Sequence, residues 1–127
     1  MGKAKILYIE DNFDNRTLVK RVLEIEGYEV IEAENGAQGL EKAYQAPPPD
    51  VIITDINLPD IDGYQITSKL KKDLSMSKIP IIAMTANVMK KDQDEIFNAG
   101  CDGFISKPID IDELPEQIEQ YLKGKSS

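Results

Sequence analysis

The sequence predicts an α/β fold: a doubly wound parallel sheet of five strands, each followed by a helix. Three observations predict it. Short strand-like runs recur along the chain, and one of them, Val51-Ile52-Ile53-Thr54, lacks the alternation of a half-exposed sheet and so marks a strand covered on both faces. Segments with apolar residues at helical spacing separate those runs, and such alternation of strand and helix is the signature of parallel sheets with helices on both sides. The 127 residues hold five such units, where a closed barrel needs eight.

The first strand is read over Ala4 to Ile9 and runs straight into Glu10 and Asp11. Leu18, Val19, Val22, Leu23 and Ile25 then recur at helical spacing over about Asp14 to Glu26, and Gly27 supplies a helix stop. Tyr28 to Ala33 is the second strand, Asn35-Gly36 a turn, and Ala37 to Ala46 a shorter helix with Leu40, Ala43 and Tyr44 on one side. Pro47, Pro48 and Pro49 end it, because consecutive prolines cannot continue a helix. Val51 to Thr54 is the third strand and Gly63 to Leu74 the third helix, its lysines 69, 71 and 72 near the carboxyl end where the dipole favours cations. Ile79 to Met84 and Asp102 to Ser106 are the fourth and fifth strands, and Val88 to Ala99 is the helix between them, stopped by Gly100. Asp110 with Glu113 reads as a capping box for a last helix lined by Leu114, Ile118, Tyr121 and Leu122, with Pro115 near its start. Gly124 to Ser127 is expected to be a short flexible tail, leaving a single domain over 1–127 with a core at about 4–122. Met1 and this tail favour a complete short chain.

Composition narrows the function. A formal charge of −8, without a sustained basic cluster, offers phosphates little, so direct nucleic-acid binding is not expected. No apolar run reaches the roughly 20 residues that span a bilayer, and no signal-like leader precedes the first strand, so the expectation is a cytoplasmic chain with no membrane partner. One cysteine, Cys101, and no histidine exclude an intrachain disulfide and a Cys/His metal site, and remove histidine-based nucleophile activation. Chemistry is left to carboxylates, hydroxyls, lysine or a metal ion.

Those groups fall at strand ends: Glu10 and Asp11 after the first, Asp55 after the third, Thr85 after the fourth and Lys107 after the fifth. If the first and third strands are neighbours, all five side chains gather where open α/β sheets place their ligand sites. Three clustered carboxylates repel one another and call for a cation or raised pKa values. Oxygen-only ligands favour Mg²⁺, or less often Mn²⁺ or Ca²⁺, with a backbone carbonyl such as that of Asn57 completing the protein ligands. Lys107 and Thr85 then supply a charge and a hydroxyl for phosphoryl oxygens, and Asp55 is the best nucleophile, attacking phosphorus to give an aspartyl phosphate. A second reading stands beside this: Lys107 pairs with the acids purely for stability, and Thr85 caps the next helix. No P-loop or dinucleotide fingerprint is present, so the phosphoryl donor is expected to be a protein or small phosphodonor rather than bound ATP.

With these motifs the chain resembles a response regulator receiver domain of two-component signalling over about residues 4 to 122. Glu10-Asp11 matches the family's acidic pair, and Asp55 followed by Leu58-Pro59-Asp60-Ile61-Asp62-Gly63 its phospho-accepting aspartate and loop. Thr85-Ala86 and Lys107-Pro108 match the motifs after the fourth and fifth strands. The resemblance implies a flavodoxin-like sheet of order 2-1-3-4-5 and a cis bond before Pro108. It implies Mg²⁺ at Glu10, Asp11, Asp55 and Asn57, and a phosphoryl group taken onto Asp55 from a sensor histidine kinase or histidine phosphotransfer protein. The domain would catalyse this phosphorylation and its own slow dephosphorylation, without being a turnover enzyme. Thr85 and Phe104 would switch the face made by the fourth helix, fifth strand and fifth helix toward a downstream protein partner, while Asn57 and Asn87 tune dephosphorylation. Two positions depart from the usual pattern: Glu10 stands where aspartate is common, and Phe104, where tyrosine is frequent, is either the switch or a plain core aromatic. The motif wording resembles stand-alone cell-division and polar-differentiation regulators. The alternatives are a degenerate receiver that docks partners constitutively, and a carboxylate-based phosphohydrolase.

Overall fold

The computed structural model describes residues 4–126. Among them run, in order, β1 (Lys5–Ile9), α1 (Phe13–Ile25), β2 (Glu29–Ala33), α2 (Gly36–Ala43), β3 (Val51–Asp55), α3 (Gly63–Lys72), β4 (Ile81–Thr85), α4 (Lys90–Asn98), β5 (Gly103–Ser106) and α5 (Leu114–Ser126). The strands form one parallel sheet in the order β2-β1-β3-β4-β5. This is the flavodoxin-like (βα)5 architecture, with the order reversing between β1 and β3.

Side chains alternate across the sheet into two cores. Leu7, Ile9, Ile52, Ile81 and Ala83 pack with Ala43, Ile66, Leu70 and Ile96 on the side of α2, α3 and α4. Ile6, Tyr8, Ile53, Ile82 and Met84 pack with Val19, Leu23, Leu114 and Ile118 on the side of α1 and α5. Every residue of β3 and β4 is buried, which is why these segments read as continuous apolar runs. The register aligns Asp55 with Met84 and Thr85 with Ser106, so the strand ends are level at one edge.

Several elements differ from the sequence reading. Asn35 is not a turn residue but the N-cap of α2, its side chain accepting from the Gln38 amide at 2.8 Å. The same short polar side chain that suits a turn also satisfies a free helix amide. Helix α2 stops at Ala43, ahead of the proline run, and α3 at Lys72, which puts Leu74 outside the helix. Helix α4 begins at Lys90, after Val88, and Met89 at its N-cap makes no side-chain capping bond. Asp110 accepts from the amides of Asp112 and Glu113 and closes a turn ahead of the last helix. Pro115 therefore falls in the first turn of α5, where its missing amide leaves no bond unmade. Residues 124–126 of the expected tail are helical, and Ser127 lies outside the described residues. The capping box sits instead at Asp62 and Gln65, at the start of α3.

Candidate phospho-acceptor and metal site

Strand β3 carries Asp55 to the sheet edge almost fully buried, and β1 delivers Glu10 beside it with no exposure at all. Lys107, just past β5, reaches back to both: its Nζ is 2.7 Å from Asp55 Oδ2 and 3.0 Å from Glu10 Oε1. Asp11 is exposed at the rim. Oxygens of Glu10, Asp11 and Asp55 lie within 4.8 Å of one another. The sheet thus converts residues far apart in sequence into one oxygen-rich hollow.

Burial, then the hydrogen bond and charge shared with Asp55, push the Glu10 carboxyl up to about 7, against the opposing pull of Lys107. Burial alone would lower the Lys107 ammonium, but hydrogen bonds to Asp55 and Glu10 and their charges hold it above the ordinary lysine range. Such a crowd of like charges, with hard oxygen donors only, suits Mg²⁺ or Mn²⁺ and does not suit zinc. Glu10, Asp11 and Asp55 fit the ion by donor type and spacing.

The β3–α3 loop is held at several points. The Asn57 amide donates to Asp55 Oδ1 at 3.0 Å, while the Asn57 side chain is exposed. The Gly63 amide donates to the Ile56 carbonyl at 3.0 Å, and a Cβ at Gly63 would stand 2.6 Å from the Asp55 carbonyl oxygen, so only glycine lets α3 start against the strand end. Asp60 accepts from the Gly36 and Ala37 amides at 2.8 and 2.9 Å, capping α2 from a different element.

Thr85 is buried at the end of β4, with its hydroxyl engaged in its own loop. The hydroxyl donates to the Asn87 carbonyl at 3.3 Å and accepts from the Asn87 amide at 3.0 Å. Lys107 thus joins Glu10 and Asp55 by contact, Asp11 brings a carboxylate oxygen within 4.8 Å of theirs, and Thr85 faces the loop that follows its own strand. Asn87 is exposed beyond it. Phe104 is half-buried on β5 and meets Phe97 of α4 edge to face, ring centres 6.2 Å apart. The Lys107-Pro108 bond is cis, as the resemblance implied, and so is Ala46-Pro47. A cleft of about 420 Å³ beside Lys107 is lined by Asn15, Leu18, Ala86, Pro108 and Ile109.

Sequence reasoning missed two supports of this site. Arg16, 6% exposed, donates to the Glu10 carbonyl at 2.9 Å and pairs with Glu32 and Glu34 at 3.4 Å. Its signal was present: Arg16, Val19 and Leu23 share one helical stripe, and a cation there needs a partner inside. Tyr8 donates to Glu10 Oε1 at 3.2 Å, from two places earlier on the same side of the strand.

Residues 6–119 match the response regulator receiver domain family. The chain belongs to that family. It is similar to the polar-differentiation response regulator DivK of Brucella anthropi, 40% identical over 117 residues that make up 92% of this chain and 94% of that one. The kinship with polar-differentiation regulators expected from the motifs is therefore borne out. Among solved structures, a signal receiver domain of a histidine kinase from Syntrophus aciditrophicus superposes with a TM-score of 0.87 at 30% identity, covering 96% of this chain and 92% of that one. The receiver domain of sensor histidine kinase PA1611 from Pseudomonas aeruginosa superposes with a TM-score of 0.85 at 31% identity, covering 94% and 98%; that protein holds a magnesium ion in its active site cleft. The acidic cluster of this chain is consistent with a receiver's phospho-acceptor and metal site. No described helix is long and apolar enough to cross a membrane.

Proposed function

We propose that this receiver is a Mg²⁺-dependent phospho-accepting switch of a two-component or phosphorelay pathway, with Asp55 as the acceptor. The observation that carries the reading is the convergence of Glu10, Asp11 and Asp55 at one sheet edge, with Lys107 Nζ 2.7 Å from Asp55. In this reading an Asp55 oxygen forms the new O–P bond as the P–N bond of a donor phosphohistidine breaks. The electron pair leaves with the imidazole, which takes up a proton. Glu10, Asp11, Asp55 and the Asn57 carbonyl hold Mg²⁺, which supplies positive charge to the phosphoryl oxygens. Lys107 adds a fixed charge on those oxygens and Thr85 its hydroxyl once released from the Asn87 loop. Phe104 follows Thr85, and the face made by α4, β5 and α5 changes its preference for a downstream protein in the cytoplasm. Asn57 and Asn87, exposed on either side, tune the approach of hydrolytic water.

The donor is a sensor histidine kinase or histidine phosphotransfer protein, with no part for nucleic acid or membrane. Incubation with Mg²⁺ and a small phosphodonor should add about 80 Da, one phosphoryl group, to the wild type and nothing at that position in Asp55→Asn. An unchanged wild-type mass across competent donors would sink the proposal.

A further inference from the structure

We infer that Tyr8 is a positioning residue for the metal site, holding the Glu10 carboxylate by one oxygen so that the other stays available to the ion. The inference rests on the Mg²⁺ site proposed above and adds a residue that its acidic motif does not contain. Tyr8 has no exposed surface and lies among Ile6, Ile53 and Met84 in the core on the α1 and α5 side. A phenylalanine would fill that place without bringing a hydroxyl that must be satisfied. The Tyr8 hydroxyl is satisfied at the site: it lies 3.2 Å from Glu10 Oε1, with Met84 Sδ at 3.4 Å as its other neighbour.

The carboxylate is divided between its donors. Oε1 faces two, Tyr8 Oη and Lys107 Nζ, whereas Oε2 accepts only the Asn12 amide at 3.3 Å among the bonds described. Oε2 therefore has acceptor capacity to spare. Lys107 is a divided donor, closer to Asp55 than to Glu10. When its charge is drawn to Asp55 or to a group carried there, Tyr8 remains as the side-chain donor to Oε1 that Asp55 does not share. Glutamate has one more rotatable bond than the aspartate more usual at this position, so a dedicated donor limits the freedom that the longer side chain brings.

The test is calorimetric Mg²⁺ binding to four metal-free proteins: wild type, Tyr8→Phe, Lys107→Ala and the double variant, with thermal midpoints recorded alongside. Tyr8→Phe should weaken Mg²⁺ binding about tenfold, as loss of an outer partner to a metal ligand typically does. The double variant should fall below the product of the two single effects, because Oε1 then has neither side-chain donor. Mg²⁺ affinity unchanged in Tyr8→Phe in both backgrounds, even with a lowered thermal midpoint, would show a purely structural tyrosine and overturn the inference alone. A wild type that binds no Mg²⁺ would overturn the proposed site and this inference together.

Discussion

Lys107 Nζ lies 2.7 Å from Asp55 Oδ2, a contact between residues 52 positions apart in sequence. The lysine leaves a strand end two places removed from β3 in the sheet, and its amide is fixed by a 2.8 Å bond to the Thr85 carbonyl. Its reach across β4 turns a set of repelling acids into a compensated cluster.

Removing that charge tests its part in chemistry against a part in stability. Lys107→Ala should slow phosphorylation of Asp55 by a small phosphodonor about 100-fold, the scale of losing one preorganised donor at developing charge. Mass spectrometry over time checks it. A rate close to wild type would assign the lysine to stability alone.

Glu10 gives the metal-free protein a pH dependence of definite sign. Its folded-state pKa of about 7 stands above the ordinary 4.5, with burial the first cause and Asp55 the second. Between those values the native state binds the extra proton, so this group's contribution to stability falls as pH rises from about 4.5 to about 7, and it stays reduced above. Denaturation in chelator at pH 5.5 and pH 8 should show that loss, and Glu10→Gln should flatten it. Mg²⁺ competes with the same proton, so its binding should tighten as pH rises and level off past about 7. An identical pH slope in Glu10→Gln would contradict this assignment.

The five strands were legible in the sequence as short apolar or β-branched runs, most plainly β3 and β4, which are buried throughout, while β2 with Glu29 and Glu32 is only partly covered. The candidate site was legible because its residues sit at strand ends. Helix faces were less legible because spacing leaves the width of the buried stripe undetermined. Leu18 and Ile25 belong to the periodic set of α1 yet are 40% and 82% exposed, while Arg16 lies inside. Strand order came from resemblance, because apolar patterning does not say which strands are neighbours. The Thr85 hydroxyl, turned into its own loop, was beyond reach for a related reason: a residue's place in the chain does not set its rotamer.

Leu23 and Ile25, both apolar and two residues apart on α1, should therefore behave oppositely. Leu23 has no exposed surface, and Leu23→Ala should lose about 2–5 kcal/mol in urea denaturation. Ile25→Ala should stay within about 0.5 kcal/mol of wild type, since the side chain is already in water. Equal losses would mean that α1 is rotated from the orientation described.

Arg16 ties the β1–α1 loop to the far edge of the sheet. Its guanidinium donates to the Glu10 carbonyl and meets Glu32, which Lys20 also approaches at 3.3 Å. The Glu34 pair adds little, because that carboxylate is 63% exposed and screened by water. Arg16→Met keeps much of the volume but leaves a buried carbonyl without this donor and Glu32 with less compensating charge, so it should lower stability by about 2–4 kcal/mol. Arg16→Lys, retaining charge without the planar fork, should recover only part of that. Urea denaturation of both variants at low and high salt decides the cause. A deficit in Arg16→Met that persists in high salt marks the lost carbonyl bond, and one that disappears marks the charge pairing with Glu32.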